Sequence, residues 1–104
     1  MNVLVNYLKS RHYVGRPRAV TRSSAAAGLE VSVRDVRAMA EESRLAGDPE
    51  GVVCYSAKGL YLAEDASDIV AIRDRITREC KRRLLQRRGL KNALAKINQL
   101  MLPA

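Results

Sequence analysis

Arg34 and Arg37 lie three residues apart in Ser32-Val33-Arg34-Asp35-Val36-Arg37, so on a helix they share one face. Two guanidiniums on one face suit recognition rather than bond making. The planar fork reaches N7 and O6 of a guanine together, or two oxygens of a phosphate. The competing readings are that Arg34 and Arg37 only solubilise an outer face, or that they pair with Glu30 and Glu41. Arg16, Arg18 and Arg22 surround the start of an earlier helix, and helix N-termini favour phosphate. Lys58 stands at the tip of a turn, where a contact with phosphate and plain solvation weigh almost equally. Arg44 sits near the C-terminal end of the helix that carries Arg34, where it complements the helix dipole or adds a contact.

Covalent chemistry has no comparable support. His12 stands alone, with no base, nucleophile or ligand partner nearby. Cys54 and Cys80 have neither CxxC spacing nor a histidine cluster, so a zinc site is not expected, and both read as half-buried thiols in a reducing compartment. There is no phosphate-cradling glycine loop, no paired-acid motif and no Ser-His-Asp order. The expectation is a protein that is not an enzyme and uses neither cofactor nor metal.

The 104 residues carry a formal charge of +8, which favours a polyanionic partner. Its distribution is uneven. Residues 9–22 hold five bases and no acid; residues 30–66 hold four bases against eight acids; residues 67–104 hold ten bases against three acids. The stretch carrying Arg34 and Arg37 is therefore locally acidic, which counts against a simple reading of the net charge. No signal peptide is visible and no run approaches membrane-spanning length, so the expected location is the cytoplasm, at the nucleoid.

These side chains need elements to hold them. Val3, Leu4, Tyr7 and Leu8 recur at helical spacing and predict a helix over about 2–11, broken by Gly15 and Pro17. Thr21 caps a second helix over 22–27, which Gly28 ends by adopting positive φ. Ser32 caps a third helix whose inward stripe is Val33, Val36, Met39 and Ala40; Arg34, Arg37, Ala38 and Glu41 face outward, and the helix stops near Gly47. Residues 51–55 and 60–63 are β-rich and are joined by Ser56-Ala57-Lys58-Gly59, which predicts a hairpin. Ser67 caps a long final segment with an apolar stripe at Ile69, Ile72, Ile76, Cys80 and Leu84, continued at Leu90, Leu94, Ile97 and Met101. A helical break at Gly89 is slightly favoured over continuation, since glycine inside a helix costs about 1 kcal/mol relative to alanine. The fold class is mainly α with a small β-hairpin: residues 1–66 form one domain and residues 67–104 a helical element.

This order, with Arg44-Leu45-Ala46-Gly47 leaving the third helix and Ala57-Lys58-Gly59-Leu60-Tyr61-Leu62-Ala63 in the hairpin, resembles winged helix-turn-helix domains. The resemblance covers about residues 3–64 and is nearest to the N-terminal DNA-binding domain of biotin-ligase repressors; small phage winged-helix proteins share the outline. It departs at Gly28-Leu29-Glu30-Val31, which has one residue more before the cap, at Ser23-Ser24, and at Leu60, which shifts the hairpin aromatic to Tyr61. The resemblance does not extend to the ligase domain, so no enzymatic role is expected from it.

The resemblance implies that the third helix enters the major groove with Ser32, Arg34, Arg37 and Ala38, and that Lys58 rides on a wing. The function expected is sequence-specific binding of double-stranded DNA by a homodimeric transcriptional regulator, of phage or mobile-element origin. Dimerisation would use Ile69, Ile72, Ile76, Leu84, Leu90, Leu94, Ile97 and Met101, giving a palindromic site. Two alternatives stay open. One is an assembly factor in phage replication, recombination or packaging. The other is a winged-helix protein–protein module whose basic tail, rich at Lys81-Arg82-Arg83 and Arg87-Arg88, grips an acidic partner.

Overall fold

The computed structural model describes residues 2–101, and of Met101 the backbone only. The chain is mainly helical with one two-stranded antiparallel hairpin. It divides into a unit that ends at Ile72 and a second that begins at Arg73.

Helix α1 spans Val3–Ser10. Asn2 starts it: its Oδ1 accepts the Val5 amide at 3.2 Å while its Nδ2 donates to the Met39 carbonyl at 2.6 Å. One side chain thus caps α1 and ties it to a later helix. Leu4 and Leu8, one turn apart, are completely buried. His12, at φ 60°, turns the chain out of the helix.

Helix α2 covers Arg22–Leu29, and the Thr21 hydroxyl accepts the Ser24 amide at 3.1 Å, as the sequence predicts. Its end differs from expectation. The helix runs through Gly28, and the residue in the left-handed conformation is Glu30, at φ 57°. Gly28 answers a steric demand instead: the Tyr7 hydroxyl occupies the place where a Cβ would sit. Ala25 and Ala26 are the buried face, small enough for close helix approach.

Helix α3 covers Val33–Ala46. Ser32 Oγ accepts the Asp35 amide at 3.1 Å and Gly47, at φ 70°, ends the helix, both as expected. The buried face is Val36, Ala40 and Ser43; Val33 is 36% exposed and drops out of the predicted stripe. Helical geometry places it roughly 60° round the axis from Val36, at the edge of that face.

Strands β1 (Val53–Ser56) and β2 (Gly59–Leu62) pair with Val53 opposite Leu62 and Ser56 opposite Gly59, so Ala57 and Lys58 form the turn. Val14 and Val20 bridge to the other edge of β2: Val20 and Leu60 exchange two backbone hydrogen bonds of 2.8 and 2.6 Å, and the Leu62 amide donates to Tyr13 at 2.9 Å. Both edges of β2 are therefore covered.

Two apolar clusters meet across this hairpin. Leu4, Leu8, Val36, Val53 and Leu60 belong to one. Val52, Cys54, Tyr61 and Ile72 form the other, with Ile69 packed against it. Ile72 thus closes the core of the first unit, with the half-buried Ile69 packed beside it, so Ile72 is not free for dimerisation as the stripe predicts. Their counterparts across the contact are β-strand side chains that helical periodicity does not reveal. The same packing carries the first unit to Ile72.

Cys54 is fully buried rather than half-buried, while Cys80 is exposed. Burial pushes the Cys54 thiol up to about 11, the Asp68 charge adds to this and Arg44 opposes it. The folded state therefore holds this proton more tightly than the unfolded chain does. Stability from this group is complete below 9.0 and is lost as pH rises towards 11. A disulfide-exchange reagent at neutral pH should titrate one thiol in the native protein and both in urea; rapid reaction of both in the native state would contradict this burial.

Helix α4 covers Ala66–Met101. Asp65, not Ser67, begins it: its Oδ1 accepts the Ser67 and Asp68 amides at 3.0 and 3.4 Å and the Ser67 hydroxyl at 2.5 Å. These donors hold the Asp65 carboxyl below its usual range. The helix continues through Gly89 rather than breaking there. The glycine's cost of about 1 kcal/mol is borne by strong helix formers on both sides, among them Arg87, Arg88, Leu90 and Lys91.

Candidate nucleic-acid interface

Arg34 and Arg37 emerge from the first two turns of α3 on its exposed side. Ion pairs among the described residues join Arg73 to Asp74 and Arg75 to Glu79; neither Arg34 nor Arg37 takes part in them. Pairs with Glu30 and Glu41 are absent among the described residues, and both arginines lie on a solvent-exposed face. Ser32 lies just before them, its hydroxyl oxygen engaged by the Asp35 amide. Ala38 and Glu41 share the exposed side, as expected.

Sequence reasoning missed two apolar members of this neighbourhood. Val31 and Val33 are each 36% exposed. Their signal was available only in part, because a valine beside a helix cap reads equally well as core. An exposed valine or alanine next to arginines is suited to contact with a thymine methyl.

Arg44 departs from the other basic candidates. Its guanidinium donates to the Val53 carbonyl at 2.8 Å and lies over the Tyr55 ring, 5.3 Å from the centroid. Just before it, the buried Ser43 hydroxyl donates to Ala40 at 2.6 Å and accepts the Val53 amide at 3.1 Å. Both neighbouring residues clamp the end of α3 to β1. Arg44 is a brace between helix and hairpin rather than a side chain offered to a ligand.

Lys58 is exposed in the hairpin turn, which the Ser56 hydroxyl steadies by accepting the Lys58 amide at 3.2 Å. Arg16 and Arg18 are exposed on a short 3-10 turn (Arg16–Arg18), and Arg22 opens α2 half-buried. That turn is held between Gly15, whose amide donates to Leu62 at 2.9 Å, and Val20, bridged to Leu60. The hairpin thus joins three basic elements. β1 is fixed to α3 through Ser43 and Arg44, β2 is fixed to the 13–20 segment, and Lys58 rides between them. Acidic side chains remain close in sequence, with Glu30, Asp35, Glu41 and Glu42 all exposed.

No group of three or more His, Cys, Asp or Glu side chains is placed to hold a metal among the described residues. No described helix is long and apolar enough to cross a membrane. Comparison with models of protein families, with characterised proteins and with solved structures finds no match.

Proposed function

We propose that the first unit binds double-stranded DNA in the manner of a winged helix and serves transcriptional regulation, with α3 in the major groove. The observation that carries this reading is the pair Arg34 and Arg37, exposed, outside the ion pairs of the described residues, and in the first and second turns of a capped helix. Free guanidinium forks at a helix start are the chemistry of guanine recognition. Lys58, Arg16, Arg18 and Arg22 supply phosphate contacts, which set register without reading sequence. The brace formed by Ser43 and Arg44 ties the start of β1 to the end of α3.

Affinity of the full chain for a duplex, measured between about 50 and 200 mM salt, tests this. Four to six phosphate contacts should give a logarithmic slope of roughly −4 to −5 through counterion release. A flat response, or no binding at the lower salt, would set the reading aside.

A second reading follows from the exposed acids on and beside α3, Glu30, Asp35, Glu41 and Glu42: the same unit would then meet a protein rather than DNA. Sequence selection separates the two readings, since the alternative predicts only unselective, salt-sensitive duplex binding through the basic helix.

A further inference from the structure

The helix beyond Ile72 combines two properties that rarely share a surface. From Arg73 onward the sequence holds ten bases against Asp74 and Glu79, and from Cys80 onward seven bases and no acid. Yet Leu84, Leu85, Leu90, Leu94, Ile97 and Leu100 are each at least half exposed on it. Leu90, Leu94 and Ile97 follow one another at spacings of four and three, the seam pattern of a coiled coil. Carried back with the same seven-residue period, the seam passes through Arg87 and Arg83 before reaching the exposed Ile76. Two arginines therefore occupy core positions between apolar ones.

Each possible cover has to satisfy both properties. A DNA backbone would neutralise the bases and leave the leucines in water. A bilayer surface needs apolar and basic side chains on opposite faces, whereas here Lys81 and Arg88 lie away from the seam and Arg83 and Arg87 within it. A second copy in parallel would stack Arg83 on Arg83 and Arg87 on Arg87. Reversing the copy moves each arginine opposite a leucine, but still sets ten bases and two acids against the same excess. The cover that fits is a helix of opposite charge, with aliphatic side chains along its own seam and carboxylates opposite Arg83 and Arg87. Carboxylates there would accept bidentate hydrogen bonds and fix the register, as polar core positions do in coiled coils.

We infer that α4 beyond Ile72 is a docking strip for an acidic amphipathic helix of another protein. This inference stands apart from the DNA reading of the first unit.

The probe is a synthetic acidic peptide of four heptads, with leucine at the seam and glutamate at the two positions facing Arg83 and Arg87. It is titrated into the full chain at 150 mM salt alongside a shuffled peptide of identical composition. The acidic heptad peptide should bind about tenfold or more tighter than the shuffled one. The variant Arg83→Glu/Arg87→Glu should lose that preference and acquire one for a peptide with lysine at the two facing positions. Both sites are fully on the helix surface, so folding is not at stake, and circular dichroism checks this. Equal binding of both peptides would reduce the effect to charge alone and overturn the inference. So would a self-associated chain that the peptide fails to dissociate, or a duplex whose affinity falls with Leu90→Asp/Leu94→Asp while the peptide is ignored.

Discussion

Replacing Gly59 with alanine is expected to destabilise the protein by about 3 kcal/mol or more, a large part of the stability of a chain this size. Gly59 begins β2 at φ 130°, a conformation that L side chains rarely adopt. A Cβ there would run into the Val20 carbonyl, and it would come within 2.9 Å of the Thr21 amide nitrogen. Both obstacles are backbone, and the Val20 backbone is held by its two bonds to Leu60, so neither can swing aside. Relief would require prising the 13–20 segment from β2, which exposes part of the core around Leu60. The same exchange at Gly89 should have the opposite sign. A Cβ there meets nothing within 4 Å and the residue is helical, so alanine should gain about 0.5–1 kcal/mol of helix stability. Urea unfolding for Gly59→Ala and thermal loss of helicity for Gly89→Ala check the pair. An unchanged midpoint for Gly59→Ala would contradict the close packing of Gly59 against Val20.

The second large effect is on DNA affinity. Arg34→Ala combined with Arg37→Ala should weaken binding to a preferred sequence by at least about thirtyfold, since each bidentate contact to a base contributes about 1–3 kcal/mol. Binding to unrelated duplex should change much less, because the phosphate contacts assigned to Lys58, Arg16 and Arg18 remain. Arg44→Ala behaves differently in this account. It removes the bond to Val53 and the stacking on Tyr55, so it should lower the unfolding midpoint, and affinity should suffer only through a loosened hairpin. Arginines that share a helix are thereby separated by what their loss does. Specific affinity unchanged in the double variant would remove α3 as the reading element.

Much of the first unit is legible in the sequence because its signals are local. Thr21 and Ser32 are caps whose acceptor oxygen needs only the next turn of the same helix, and both act as caps. The hairpin is likewise announced by two β-rich runs around Ala57-Lys58-Gly59. The misreadings are tertiary. Gly28 reads as a helix end because glycine tolerates positive φ, but its smallness serves Tyr7, twenty-one residues away. Asp65 and Ser67 are both acceptable caps, and Asp65 wins with a side chain that reaches two amides and the Ser67 hydroxyl. Ile69 and Ile72 continue the same periodicity as Ile76, and only the position of Cys54 and Tyr61 decides that Ile72 is core with Ile69 packed beside it. For the site, spacing on α3 is enough to place Arg34 and Arg37 outward. Nothing in the spacing distinguishes them from Arg44, whose partners Val53 and Tyr55 belong to a strand.

The central claim is that α3 reads DNA sequence. The most direct test is selection of bound sequences from random duplex DNA by the full chain at near-physiological salt, with the Arg34→Ala/Arg37→Ala variant in parallel. The account predicts enrichment of one short motif containing guanine by the native chain, and its loss in the variant. No enrichment by the native chain, or the same motif from both proteins, would contradict it.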